Sequence, residues 1–169
     1  MARSGAIISR PIGFCATTTY GRRVSVELSK VSVSDVRVAV AAGPGLEAGL
    51  VTLREEAEPH RSVPIVIGQP EARSIQSAWT GAVQSRPSTW DLFVSAVSLL
   101  NARLDRAVIT DVEENRHFYA TIEFEVDGDR RVLAARPSDA IALVLRAHGA
   151  EIYVAETVLA AMGVRSTDN

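Results

Sequence analysis

The stretch from Pro137 to Gly149 constrains this chain more than any other. Proline suits the first turn of a helix, where its missing N–H and fixed φ cost nothing, and Ala140 to Leu145 then forms an unbroken apolar run. Six apolar residues in succession cover every side of a helix instead of one stripe, so this segment must be buried on most sides. Gly149 stands where such a helix stops, because glycine enters the left-handed region at little cost. A short enclosed helix requires a sheet and other helices to enclose it. The same run is the longest apolar one in the chain and falls far below the roughly 18 residues of a membrane span, so a soluble protein with no membrane association is expected.

The enclosing elements can be read from periodicity. Val36, Val38 and Val40 alternate with Asp35, Arg37 and Ala39 as in a half-buried strand, and Gly43-Pro44-Gly45 breaks the pattern. Leu50–Arg54 and Val63–Ile67 read as two further strands, the second apolar on both faces and therefore predicted to be central. Gly68-Gln69-Pro70-Glu71 opens a helix that runs to about Thr80, with Ala72, Ile75, Ala78 and Trp79 on its apolar side and Gly81 closing it. After the loop Ser85–Thr89, which supplies hydroxyl caps, a second helix runs to about Ala102. Its wide apolar face of Leu92, Phe93, Ala96, Val97, Leu99 and Leu100 predicts tight packing against the sheet. Strands resume at Arg106–Val112, His117–Val126 and Arg130–Ala135, the last two joined by an Asp127-Gly128 hairpin turn. Ile152–Val154 is a short strand and Glu156–Met162 a final helix. Strands that come in groups predict an α+β fold: a mixed, largely antiparallel sheet packed with helices, in one domain over residues 33–164.

With 169 residues the chain has room for one core, which at this size needs no disulfide or metal staple. Cys15 is the only cysteine, which excludes an internal disulfide and a cysteine-built zinc site. A reducing, cytoplasmic setting is expected. Residues 1–32 show neither period and read as a flexible basic extension, and 165–169 as a tail. The first 30 residues carry five basic groups against Glu27 alone, whereas the remainder holds 13 basic and 19 acidic residues. Organelle targeting by this Arg- and Ser-rich start is the minor alternative. An acidic body repels phosphodiester backbones at long range, so only a local basic site would engage nucleic acid.

The clearest candidate for such a site is Arg136-Pro137-Ser138-Asp139. A proline-started helix leaves N–H groups pointing outward, and the adjacent guanidinium adds a bidentate clamp for a phosphate or carboxylate. The same residues admit a purely structural reading, in which Ser138 and Asp139 satisfy those N–H groups and Arg136 pairs with a neighbouring carboxylate. Asp91, near the start of the second helix, is either a dipole-stabilising residue or a general base. His117 and Tyr119 flank Phe118 and share one face of a strand. No nucleotide-binding glycine loop, paired-histidine helix or nucleophile elbow is present.

Taken together, Val63–Ala72 with Ile75, then Arg86-Pro87 with Thr89 and Asp91-Leu92, then Ala135–Leu143 through Leu145-Arg146 to Ile152-Tyr153-Val154, resemble the bifunctional nuclease family, and Phe118-Tyr119-Ala120 adds a fourth block. The order and spacing match over about residues 33–163. The resemblance implies hydrolysis of DNA and RNA phosphodiesters. Carried over by position, the candidates are Asp91, Arg136 and Asp139 for catalysis and Arg86, Ser138 and Glu71 for substrate binding; His117, on the polar strand face, joins the substrate-binding set from its placement alone, and Mg²⁺ or Mn²⁺ is the cofactor to test, with Asp91, Asp139, Glu71 and His117 as the candidates to hold it. Trp90 stands where the family usually carries histidine, Ala134 where an acidic residue is common, and Glu151 where proline is usual. A tryptophan neither accepts nor delivers a proton at neutral pH. Weak nuclease activity on nucleic acid is therefore expected. The alternative is a non-catalytic oligomeric domain that binds an anionic ligand or a protein. A homodimer is expected either way, from the apolar excess of the third helix together with Trp79 and Trp90.

Overall fold

The computed structural model describes residues 27–43, 46–82 and 84–165. In chain order the elements are β1 (Leu28–Gly43), β2 (Leu46–Glu55), β3 (Arg61–Ile67), α1 (Gln69–Trp79), α2 (Thr89–Leu99), β4 (Ala102–Val112), β5 (Phe118–Val126) and β6 (Asp129–Ala135). They continue with α3 (Pro137–Val144), β7 (Glu151–Ala155), α4 (Glu156–Met162) and the two-residue β8 (Val164–Arg165). All strands join one eight-stranded sheet in the order β6-β5-β4-β7-β1-β2-β3-β8. Every pairing is antiparallel except β4 with β7. A parallel neighbour needs a crossover, and β5, β6 and α3 together form it. The architecture is the mixed, mostly antiparallel α+β domain that the grouped strands predict.

The enclosed helix is where its composition requires it to be. α3 buries Ser138 and every residue from Ala140 to Val144, and it packs on α1, α2, β4, β5 and β7. Arg136 is its N-cap and Pro137 its first residue, but the helix ends at Val144 with Leu145 as its C-cap, earlier than the expected stop at Gly149, which takes φ +76° in the turn that follows. The core beneath comes from one face of the sheet, with Val51, Leu53, Val63, Ile109 and Val154 essentially inaccessible. α1 lies beside α3 and runs the same way. Glu71 in the first turn of α1 meets Arg136 at the start of α3, while Trp79 at the end of α1 shares a cleft with Val144 and Leu145. α1 also lies hard against β2, where a methyl group on Gly49 would overlap the methyl of Ala72. Among the described residues no helix is long and apolar enough to cross a membrane.

Three expectations change. The first strand begins at Leu28, ahead of the expected boundary at 33, and Leu28 to Val31 pair with Ala155 to Ile152 of β7. That pairing joins segments far apart in sequence, so the local run Leu28-Ser29-Lys30 gives no alternation to read. Of the expected extension and tail, residues 1–26 and 166–169 lie outside the described residues. Second, β3 is not central. It has β2 on one side and, on the other, β8 only at Arg61 and Ser62, leaving an open edge where Pro64 needs no ladder donor and Val66 is exposed. Third, α2 does not pack tightly. It has no fully buried residue. Trp90, Val94 and Val97 are its half-buried inner side, and Leu92, Leu99 and Leu100 face outward.

Candidate functional site

The residues singled out from the sequence fall into two groups at opposite ends of the α1–α3 pair. At the N-terminal ends, the Arg136 Nε donates to Asp139 Oδ2 at 2.8 Å and its Nη2 to Asp139 Oδ1 at 3.1 Å, a two-bond clamp on the carboxylate one turn ahead. Its Nη1 sits 3.3 Å from Glu71 Oε1 on α1. Proline at the start of both helices and an acid in each first turn complete the arrangement, as the positive helix ends favour. Arg136 is thus surrounded by two carboxylates, and the group carries net negative charge. Ser138 is buried beside them.

At the other end, the C-terminal turns of α1 and α3 and the N-terminus of α2 border a cavity of about 410 Å³ that opens broadly to solvent, with Ser77, Gly81, Arg86, Asp91 and Arg146 among its lining residues. Ser88 caps α2 in a full capping box. The Asp91 Oδ2 accepts from the Ser88 backbone N–H at 2.7 Å and from its hydroxyl at 2.6 Å, while the Asp91 Oδ1 accepts from Arg146 Nε at 2.8 Å. These bonds, that of the Ser88 hydroxyl first, hold the Asp91 carboxyl below the usual aspartate range against the effect of burial. A carboxylate so stabilised stays ionised and is a poor proton acceptor.

Arg146 holds this end together. Its side chain is only 9% exposed, and besides Asp91 it donates to the Ala142 carbonyl at 2.8 Å and to the Ser74 carbonyl at 3.1 Å. The guanidinium also lies 5.9 Å from the centre of the Trp90 ring, within cation–π range. Trp90 therefore forms a bed for Arg146. Three of the five guanidinium N–H donors are accounted for by these bonds, leaving two without a protein partner among the described residues. Arg86, on the exposed loop before Ser88, makes no ion pair among the described residues and brings the second positive charge to the same wall.

The expected pairing of Arg136 as clamp with Asp91 as base does not form. α3 stands between them, and its eight residues rise about 12 Å. His117 precedes β5 instead of lying in it. Its backbone N–H donates to Asn115 Oδ1 and its carbonyl accepts from the Glu113 N–H, and Tyr119 spends its hydroxyl on Glu113. Glu151 opens β7 and pairs with Lys30 at 2.9 Å. No three of His, Cys, Asp and Glu converge among the described residues. Of the acids singled out from the sequence, Glu71 and Asp139 come together, and both carboxylates already face Arg136. This donor set does not fit a divalent cation. Sequence reasoning passed over Arg146, although a signal exists: a charge directly after six apolar residues of an enclosed helix has to find a partner inside the fold.

Comparison with known proteins agrees with this frame. A family model described as the bifunctional nuclease domain matches residues 51–167. Two uncharacterized proteins of Mycobacterium tuberculosis, MT1877 of strain CDC 1551 / Oshkosh and Rv1829 of strain ATCC 25618 / H37Rv, are each 40% identical over 119 residues, covering 70% of this chain and 69% of theirs.

Proposed function

The chain belongs to the bifunctional nuclease domain family, and from that premise we propose that it binds phosphodiesters of RNA and DNA in the cavity between α1, α2 and α3 and hydrolyses them slowly. One observation supports this most: Arg86 and Arg146 bring two positive charges, against Asp91 alone, to a cavity of about 410 Å³, within the roughly 300–1,000 Å³ of small-molecule sites. Arg86 is the exposed phosphate contact. Arg146 is the fixed one, and it stabilises charge that develops on the phosphoryl oxygens. Asp91 positions Arg146 and caps α2. With Asp91 committed to these bonds and tryptophan at position 90, water attacks without a strong base, which accounts for low turnover. The N-terminal group of Glu71, Arg136 and Asp139 is less suited to the reaction, since a phosphate would have to displace two carboxylates from Arg136.

The test measures cleavage of single-stranded RNA and DNA by the purified full chain, with Mg²⁺, Mn²⁺ or chelator. Arg86→Ala should lower both activities at least about tenfold with unchanged thermal unfolding, Arg136→Ala should lower them much less, and Trp90→His should raise them. Equal losses in Arg86→Ala and Arg136→Ala would refute the assignment to this cavity. Salt-dependent binding that needs Arg86 but brings no cleavage in any variant would favour the second reading, a non-catalytic anion-binding domain, for which the specific argument is that Asp91 is committed to Ser88 and Arg146.

A further inference from the structure

α2 carries two apolar faces, of which the fold uses one. Trp90, Val94 and Val97 pack inward. On the outer side Leu92, Phe93, Ala96, Leu99 and Leu100 follow the spacing of a single helix stripe, with Leu92, Leu99 and Leu100 exposed by 65%, 83% and 76%. Nothing polar interrupts it. From Leu92 to Leu100 no residue is charged, and the Ser95 and Ser98 hydroxyls donate back to the carbonyls of Asp91 and Val94 at 2.8 and 3.1 Å. The expected source of self-association, the third helix, is by contrast fully enclosed.

We propose that this stripe is the contact of a two-fold homodimer in which α2 packs antiparallel on α2 of a second copy. The apolar positions of the stripe are spaced symmetrically about Ala96. Antiparallel packing centred there sets Leu92 against Leu100 and Phe93 against Leu99 in both directions, as an isologous contact demands, and puts the smallest side chain at the crossing. The exposed part of the stripe amounts to roughly 500 Å² per copy, at the upper end for a patch on a monomer and more than half of the roughly 800 Å² each partner gives to a standard interface. Leu133 of β6 extends it. That residue lies opposite Ile122, on the face of the sheet that presents Phe124 to Phe93 at a ring distance of 6.4 Å, and is itself 52% exposed. The absence of charge removes any repulsion between identical surfaces.

Light scattering on the full chain at about 10–100 μM, a range suited to micromolar dimers, should give twice the 18.1 kDa chain mass. Leu99→Glu should convert the species to monomer, raising Kd at least about tenfold, with an unchanged circular dichroism melt because Leu99 is already exposed. In a Cys15→Ser background, a mixture of Leu92→Cys and Leu100→Cys proteins should form a mixed disulfide on mild oxidation that neither forms alone. A wild-type monomer throughout that range overturns the proposal and leaves the stripe to another part of this chain or to a foreign protein. So does a dimer that survives Leu99→Glu, or cross-linking as strong in either single-cysteine protein as in the mixture.

Discussion

Replacing Arg146 by methionine keeps an unbranched apolar stem and removes only the guanidinium, so it isolates what that group contributes. Three bonds go: the ion pair to Asp91 and the two donations to the Ala142 and Ser74 carbonyls. The Ala142 carbonyl belongs to the last turn of α3, where the Arg146 backbone N–H turns to Leu143 instead, so the side chain satisfies an acceptor the helix itself leaves open. A neutral acceptor stripped of its donor in a site this closed costs about 1–3 kcal/mol. The pair with Asp91 adds less than a buried pair would, because Asp91 is 38% exposed and keeps both Ser88 bonds. The cation–π contact with Trp90 contributes about 0.5–1 kcal/mol. These contributions overlap, and together they predict a loss of about 2–3 kcal/mol, or roughly 5–10 °C in Tm for a domain of this size. Urea unfolding followed by tryptophan fluorescence reads it directly. Arg146→Lys should recover less than half, since an ammonium cannot reach three divergent acceptors. Arg86→Ala, at an exposed position with no ion pair among the described residues, should leave stability unchanged. An Arg146→Met protein within about 0.5 kcal/mol of wild type, the ordinary scatter of surface changes, would refute the role given to Arg146.

Two further outcomes follow from the packing and the charges. Glu55 is buried and its carboxyl is held low by Arg61, which grips it with side-chain and backbone N–H groups and binds Glu156 with its other edge. Because the folded-state pKa lies below the ordinary 4.5, this stabilisation is complete above about that pH and is lost as pH falls through the lower folded value; urea midpoints measured from pH 7 to pH 3 should fall less steeply for Glu55→Gln, and parallel slopes would count against it. Gly49→Ala should cost about 1–3 kcal/mol by overpacking α1 on β2, and Ala72→Gly in the same chain should restore part of it, as a double-mutant cycle by thermal unfolding would show.

How far the sequence discloses this molecule depends on whether a residue's partner is local. α3 is legible because a run that is apolar on every side has only one environment, and the Asp127-Gly128 turn because both residues take positive φ within a tight hairpin. α2 is apolar enough to look like core, but periodicity states only that a face wants cover, not whether the sheet or another molecule supplies it. The site divides along the same line. Asp139 and Ser88 find partners within three residues, and their capping and pairing roles are visible beforehand, whereas the Arg146–Asp91 bond spans 55 positions and depends on how α2 docks at the end of the α1–α3 pair, whose members run in the same direction. That direction also explains the charges. Two positive helix ends gather Glu71 and Asp139 and the negative end of α3 gathers Arg146, placements that helix dipoles favour, while Arg86 lies on the loop before the N-terminus of α2. Arg136 is a cation at a positive end, and the two acids close on it there. The arginine most prominent in the sequence is thereby already paired with two acids, and on the proposed reading the positive charge offered to a phosphate lies at the opposite end of the helix pair.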